Sequence, residues 1–147
     1  MTSKYTLEEQ KEHRHLWMKA LRSGDYSQGK DVLCRERNGT FEYCCLGVAC
    51  EISGLGKFVP IPGLSNPLNV FNFVIKEELS QYATLPGEYA TLPEEVQDWL
   101  GLRSHCGWYD NGGIQSLTKL NDKGISFTTI ADIIESEPKE LISSSKE

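Results

Sequence analysis

No stretch of this chain approaches the roughly 18 consecutive apolar residues that a membrane-spanning helix needs, and none sits behind the charged start Met1-Thr2-Ser3-Lys4. The expectation is a protein without signal peptide or span, working in a reducing cytoplasm where thiols stay free. Cysteine pairs at chelating distance are also missing. Metal sites space their cysteines by two to four residues, whereas Cys44-Cys45 are adjacent and Cys50 follows after four. His13 and His15, two apart on a helix, point about 200° from each other and cannot chelate together. The glycine-rich segment around Gln28-Gly29-Lys30 lacks the spacing of a Walker A loop. No metal, no disulfide and no cofactor are therefore expected.

Positive charge is scarce beyond the first quarter of the chain. Residues 1–37 carry eight Lys or Arg against six Asp or Glu, while the remainder carries seven against fifteen, for a net charge of −6. Such a chain is a poor ligand for duplex DNA, although a locally basic end suits a small phosphate-bearing molecule. With 147 residues, 39% of them hydrophobic, the chain is long enough to bury one core unaided.

What is present reads as a compact α+β domain over residues 1–138, helix-rich with a small β-hairpin, and a flexible tail from Lys139 to Glu147. Thr6 and Glu9 form a capping box ahead of a helix whose face is His13, Leu16, Trp17, Ala20 and Leu21, stopped at Ser23-Gly24. Residues 23–30 read as a polar loop. Asn38-Gly39 between two β-prone runs signals a type I′ hairpin. Cys45, Val48, Ala49 and Ile52 mark a short buried helix, in which Gly47 implies that another backbone or a ligand comes close. Lys57–Ile61 and Val70–Ile75 read as strands. Tyr82–Pro86 recurs as Tyr89–Pro93, a local duplication that lengthens a loop. Pro93 opens a helix with Val96, Trp99 and Leu100 inward. Ile114, Leu117 and Leu120 mark a further helix ending at Gly124, and Ser126 caps a last one with Phe127, Ile130, Ala131 and Ile134 on one stripe. Trp17, Leu46, Val48, Trp99, Leu117 and Ile130 are expected in one core.

Taken together, Trp17 with Ala20-Leu21, Ser23-Gly24, Tyr26 and Gln28-Gly29, then Cys44-Cys45-Leu46-Gly47-Val48 and Cys50, Leu92-Pro93 with Trp99-Leu100-Gly101, and Leu120-Asn121-Asp122 through Ile134-Glu135 resemble a family of small accessory proteins of tailed phages. The resemblance covers most of the chain, with residues 71–89 longer than usual. It implies a non-structural phage protein acting in the infected cell, in a class where inhibitors of host defence are common. It assigns no catalytic residue.

The candidate site is an anion-recognising one. Gln28 and Lys30 place donors beside Gly29, whose backbone can approach an anion. Arg35 and Arg37, two apart on a strand, share a face and can clamp a phosphate with the helix start near Cys45. Asn121 and Asp122 offer the amide and carboxylate that a base or ribose edge requires, and Trp108 and Tyr109 a stacking surface. The resulting expectation is a non-catalytic protein that sequesters a nucleotide-like molecule, such as a cyclic nucleotide or an ADP-ribose derivative, with homo-oligomer formation left open. Two alternatives stand beside it. The helices between Ile114 and Glu135 have the order of a helix-turn-helix DNA-binding regulator, but the second exposes Thr128, Thr129, Asp132 and Glu135 with no Lys or Arg. The other is direct inhibition of a host protein through an acidic surface. Cysteine chemistry, with Cys45 as nucleophile and His105 as base, is opposed by the apolar neighbours of Cys45, which raise its pKa. A zinc site drawn from Cys34, Cys44 or Cys45, Cys50, His105 and Cys106 is weaker than the reading of these cysteines as small buried hydrophobes.

Overall fold

A computed structural model describes residues 3–60, 69–76 and 90–143. The first copy of the duplicated pentapeptide and Tyr89 lie outside them. The chain begins with α1, Leu7–Ser23, for which Thr6 and Glu9 form the reciprocal capping box and Gly24 the left-handed stop at φ 81°. Its buried stripe is Gln10, Arg14, Trp17, Met18 and Leu21. That shifts the expected face: Leu16 is 52% exposed, and two polar residues take inward positions.

The reason lies in α3, Glu94–Leu100, whose last carbonyls would otherwise be buried without donors. Gln10 Nε2 donates to Asp98 O, the Arg14 guanidinium to Leu100 O, and His13 Nδ1 to Trp99 O, each at 2.7 Å. A carbonyl only accepts, so His13 carries its proton on Nδ1. Its ring also stacks on Trp99 at 4.0 Å with 7° between planes. Three side chains from one and a half turns of α1 thus complete the end of a helix some 86 to 88 residues away in sequence.

Three small sheets follow. In the first, β1 (Ser27–Gln28) runs parallel to β3 (Thr40–Tyr43), which pairs antiparallel with β2 (Cys34–Arg37). Asn38 and Gly39 both take positive φ, 54° and 81°, as a type I′ turn requires. Ser27 and Gln28 are therefore strand rather than loop, because Tyr43 offers them an edge. The second sheet joins β4 (Gly56–Pro60) to β5 (Phe71–Ile75). It meets the first through the Arg35–Val70 bridge and through the edge contacts of Phe58 with Tyr43 and of Phe71 with Phe41.

Between them lies α2, Cys45–Ser53, with Cys45 through Cys50 all buried. Gly47 is the tight point. A Cβ there would stand 1.9 Å from Leu33 O, so the close approach expected from the sequence is to the chain's own backbone.

The third sheet is the hairpin of β6 (Trp108–Asp110) and β7 (Ile114–Ser116), followed by α4 (Leu117–Asp122) and α5 (Phe127–Glu135). Ile114, expected in a helix, is a strand residue 75% exposed to solvent, because Ser116 is the N-cap of α4. Part of the expected tail packs on the body. Leu141 and Ile142 are buried, and Asp110, Arg103 and Ser143 amides bond to Lys139, Leu141 and Gly101 carbonyls. Two adjacent apolar residues suffice to dock residues 139–143 on β6 and the end of α3; residues 144–147 lie outside the described residues. All six expected core residues are buried. Among the described residues, no helix is long and apolar enough to cross a membrane.

Gly47→Ala should lower stability despite alanine's better helix propensity. Displacing the Leu33 backbone costs about 3 kcal/mol or more, against a propensity gain of about 1 kcal/mol. Thermal unfolding followed by circular dichroism checks the sign; a higher melting temperature in the variant would contradict the close packing.

Candidate functional site

The sequence places eight residues in an anion-recognising site, and the structure brings five of them into two groups, Gln28, Asn121 and Asp122 in one hydrogen-bonded network and Arg35 and Arg37 against Glu42. At the centre of the first is Asn121, fully buried at the end of α4. Its Oδ1 accepts from Gln28 Nε2 at 2.9 Å and from the Cys45 amide at 3.1 Å, while its Nδ2 donates to Gly29 O at 2.8 Å. Gln28 Nε2 also donates to Ile125 O at 2.7 Å. Asp122 accepts from the Asp31 amide at 2.8 Å and so holds a residue whose φ is 71°. The amide and carboxylate expected to meet a ligand hold the 28–31 loop to α4 instead.

The same bonds close the start of α2 to anions. Asn121 occupies the Cys45 N–H, and the Cys44 thiol, acting as N-cap, takes the Gly47 N–H at 3.4 Å. Arg35 and Arg37 do share a face, but the carboxylate between them is the chain's own: Glu42 Oε1 lies 3.2 Å from Arg35 Nε and 3.6 Å from Arg37 Nε. Glu42 sits opposite Arg35 in the β2–β3 register, a placement the sequence alone does not reveal. Lys30 is exposed beside this network. Trp108 and Tyr109 separate: Trp108 is 41% exposed and Tyr109 only 4%, since successive strand residues point to opposite faces. They form no joint stacking surface; Tyr109 anchors the hairpin.

The cysteines are similarly internal. Cys34, Cys44, Cys45 and Cys50 are buried free thiols, with Cys106 half-buried. Desolvation pushes Cys34 and Cys44 up to about 12 and Cys45 and Cys50 well above the ordinary thiol range, which removes the nucleophile from the Cys45–His105 pairing. Among the described residues, no group of three His, Cys, Asp or Glu could hold a metal ion.

A concave site that the sequence does not signal lies between the N-terminal segment and α3. It is a cleft of about 310 Å³. Leu55, Ile75 and Leu102 give it apolar wall, Glu94, Glu95 and Asp98 of α3 line it with carboxylates, and Lys4 lines it too. The Lys4 amide donates to Asp98 Oδ2 at 3.1 Å, which fixes one edge. Its residues come from five separated parts of the chain, so no local motif could have announced it.

Residues 9–138 match the model of a domain of unknown function, DUF8296. The chain belongs to that family. No curated protein and no solved structure matches it. The DUF8296 match spans α1 through α5 and so includes both the Asn121 network and the α3 wall of the cleft. Leu141 and Ile142 complete its core from just beyond the matched segment.

Two outcomes follow for the DUF8296 domain. Asn121→Ala should cost about 3 kcal/mol or more, because it leaves the buried Cys45 amide and Gly29 carbonyl without partners; denaturant unfolding measures it, and a loss below about 1 kcal/mol would contradict the network's structural role. The second concerns pH. Cys34 and Cys44 keep their protons to about 12 when folded, but the unfolded thiols release theirs near 8.5. Their contribution is complete below the unfolded value and is lost as pH rises towards the folded one. The melting temperature should fall between pH 9 and 12, and less steeply in Cys34→Ala than in wild type.

Proposed function

We propose that this protein is a non-catalytic binder that captures a nucleotide-like small molecule, in the manner of a phage accessory protein that sequesters a host immune signal in the cytoplasm of the infected cell. The observation that carries the reading is the cleft between the N-terminal segment and α3. Its volume, about 310 Å³, lies at the lower end of small-molecule sites, and it joins apolar wall to a few convergent polar groups. The wall of Leu55, Ile75 and Leu102 suits the faces of a base. Glu94, Glu95 and Asp98 are acceptors for the donors that a nucleoside carries, its exocyclic amines and sugar hydroxyls. The same carboxylates repel phosphate, so the nucleoside end enters and the phosphates stay at the mouth, on the side of Lys4. That reverses the orientation suggested by the sequence, in which arginines hold the phosphate.

The regulator reading has less support. α5 carries Asp132 and Glu135 on its exposed side, both bonded to Arg22 of α1 at 2.7 and 2.8 Å. A helix bearing those carboxylates and no Lys or Arg is ill suited to a phosphate-lined groove.

Isothermal titration with adenosine, ADP-ribose and a cyclic dinucleotide tests the proposal, using wild type, Glu95→Gln and Arg35→Ala. Binding of at least one member is expected, weakened about 10- to 100-fold in Glu95→Gln, the scale of one hydrogen bond to a charged group. Arg35→Ala should bind as wild type does. No binding by any member, or loss of binding in Arg35→Ala with Glu95→Gln unaffected, would overturn it.

A further inference from the structure

Hydrogen-bonding capacity is spent unevenly around the cleft between the N-terminal segment and α3. Its amide donors are turned onto the protein's own acceptors. The Lys4 amide donates to Asp98 Oδ2 at 3.1 Å, Gln97 Nε2 donates to Leu102 O at 3.2 Å, and the Ser143 amide and hydroxyl donate to Gly101 O at 2.8 Å and to Leu102 O at 3.3 Å. The acceptors are left over. The carboxylates of Glu94 and Glu95 make no hydrogen bond or ion pair with another described residue, and both line the cleft. A molecule held on this wall therefore brings donors and finds acceptors to receive them.

The three carboxylates of the wall are not equivalent. Glu94 is exposed, where water competes for its oxygens, and Asp98 has one oxygen committed to the Lys4 amide, whereas Glu95 is half-buried with both oxygens open. Two open carboxylate oxygens form a fork that binds best to a group presenting two parallel N–H bonds. Among the common nucleobases guanine alone offers that on one edge, with N1–H beside the N2 amine. Adenine and cytosine set a single amine next to a ring nitrogen whose lone pair would face the second oxygen, and uracil and thymine flank their one N–H with carbonyls. Leu55, Ile75 and Leu102 meanwhile offer the apolar cover that a base needs when its edge is read by hydrogen bonds.

We infer that the cleft selects guanine among the nucleobases, with N1–H and the N2 amine donating side by side to the two oxygens of Glu95; the inference rests on the cleft being the site of nucleotide capture. Glu95 then sets the specificity of the site, and a guanine-bearing cyclic dinucleotide fits it better than ADP-ribose does. A base that supplies only one of the two donors leaves a half-buried carboxylate oxygen unpaired, which costs about 10- to 100-fold in affinity.

Isothermal titration with the monophosphates of guanosine, inosine and adenosine tests it, because the three share sugar and phosphate and differ only in the base. Inosine keeps N1–H and lacks only the N2 amine, so that comparison needs no variant. Wild type should bind the guanosine nucleotide about 10- to 100-fold more tightly than either of the others. Glu95→Gln turns the fork into one acceptor and one donor, the pattern that matches adenine's amine and a neighbouring ring nitrogen. Its preference should invert towards the adenosine nucleotide, with an unchanged far-ultraviolet spectrum. Equal affinity of wild type for the guanosine and inosine nucleotides, or an unchanged preference in folded Glu95→Gln, overturns the inference and leaves nucleotide capture standing. Binding of none of the three overturns it as well, and the capture reading falls with it only when ADP-ribose and cyclic dinucleotides are also left unbound.

Discussion

One buried carboxamide fixes how the N-terminal and C-terminal halves meet. Asn121 is an acceptor for two donors and a donor to one carbonyl, and its partners come from β1, from the loop after it and from the first residue of α2. In a low-dielectric interior each of these groups would cost about 1–3 kcal/mol if left unpaired, so the three bonds are made together or not at all. Without that joint, the 28–31 loop has no reason to hold Asp31 in a left-handed conformation against Asp122. The start of α2 would present open N–H groups, and its burial would fail.

The contact of α1 with α3 works by the same logic at the other end of the molecule. Gln10, His13 and Arg14 supply donors to consecutive carbonyls at the end of a seven-residue helix too short to be stable in isolation. Fixing that end also fixes Glu94, Glu95 and Asp98 on the neighbouring turns. The cleft is thus a product of how α3 is terminated, and the carboxylates along it are placed by groups that never touch its contents.

Much of the fold was legible because its signals are local. Thr6 with Glu9, Asn38-Gly39 and Ser126 each act within a few residues, and the elements that they bound occur where expected. Less was legible where satisfaction is non-local. Gln28, Asn121, Asp122 and the two arginines look like ligand-binding groups because a sequence shows donors and acceptors without showing which are already taken. Glu42 in particular neutralises Arg35 only through strand register. Leu141-Ile142 carried no periodicity that would distinguish a docked segment from a frayed one. Ile114 fitted helical spacing, but Ser116 as N-cap begins the helix two residues later. The cleft was invisible for the plainest reason, that no two of its walls are neighbours in sequence.

Native-state hydrogen exchange at the Cys45 amide tests most directly whether the Asn121 network is structural. That amide bonds to a side chain rather than to a helical carbonyl, at the first turn of a helix, where fraying normally allows fast exchange. If Asn121 joins the two halves, the Cys45 amide exchanges only by global unfolding, with the same free energy as core amides around Trp17. Exchange through a local opening several kcal/mol below the global value would show that the joint opens by itself, and that these polar groups are free to serve a ligand after all.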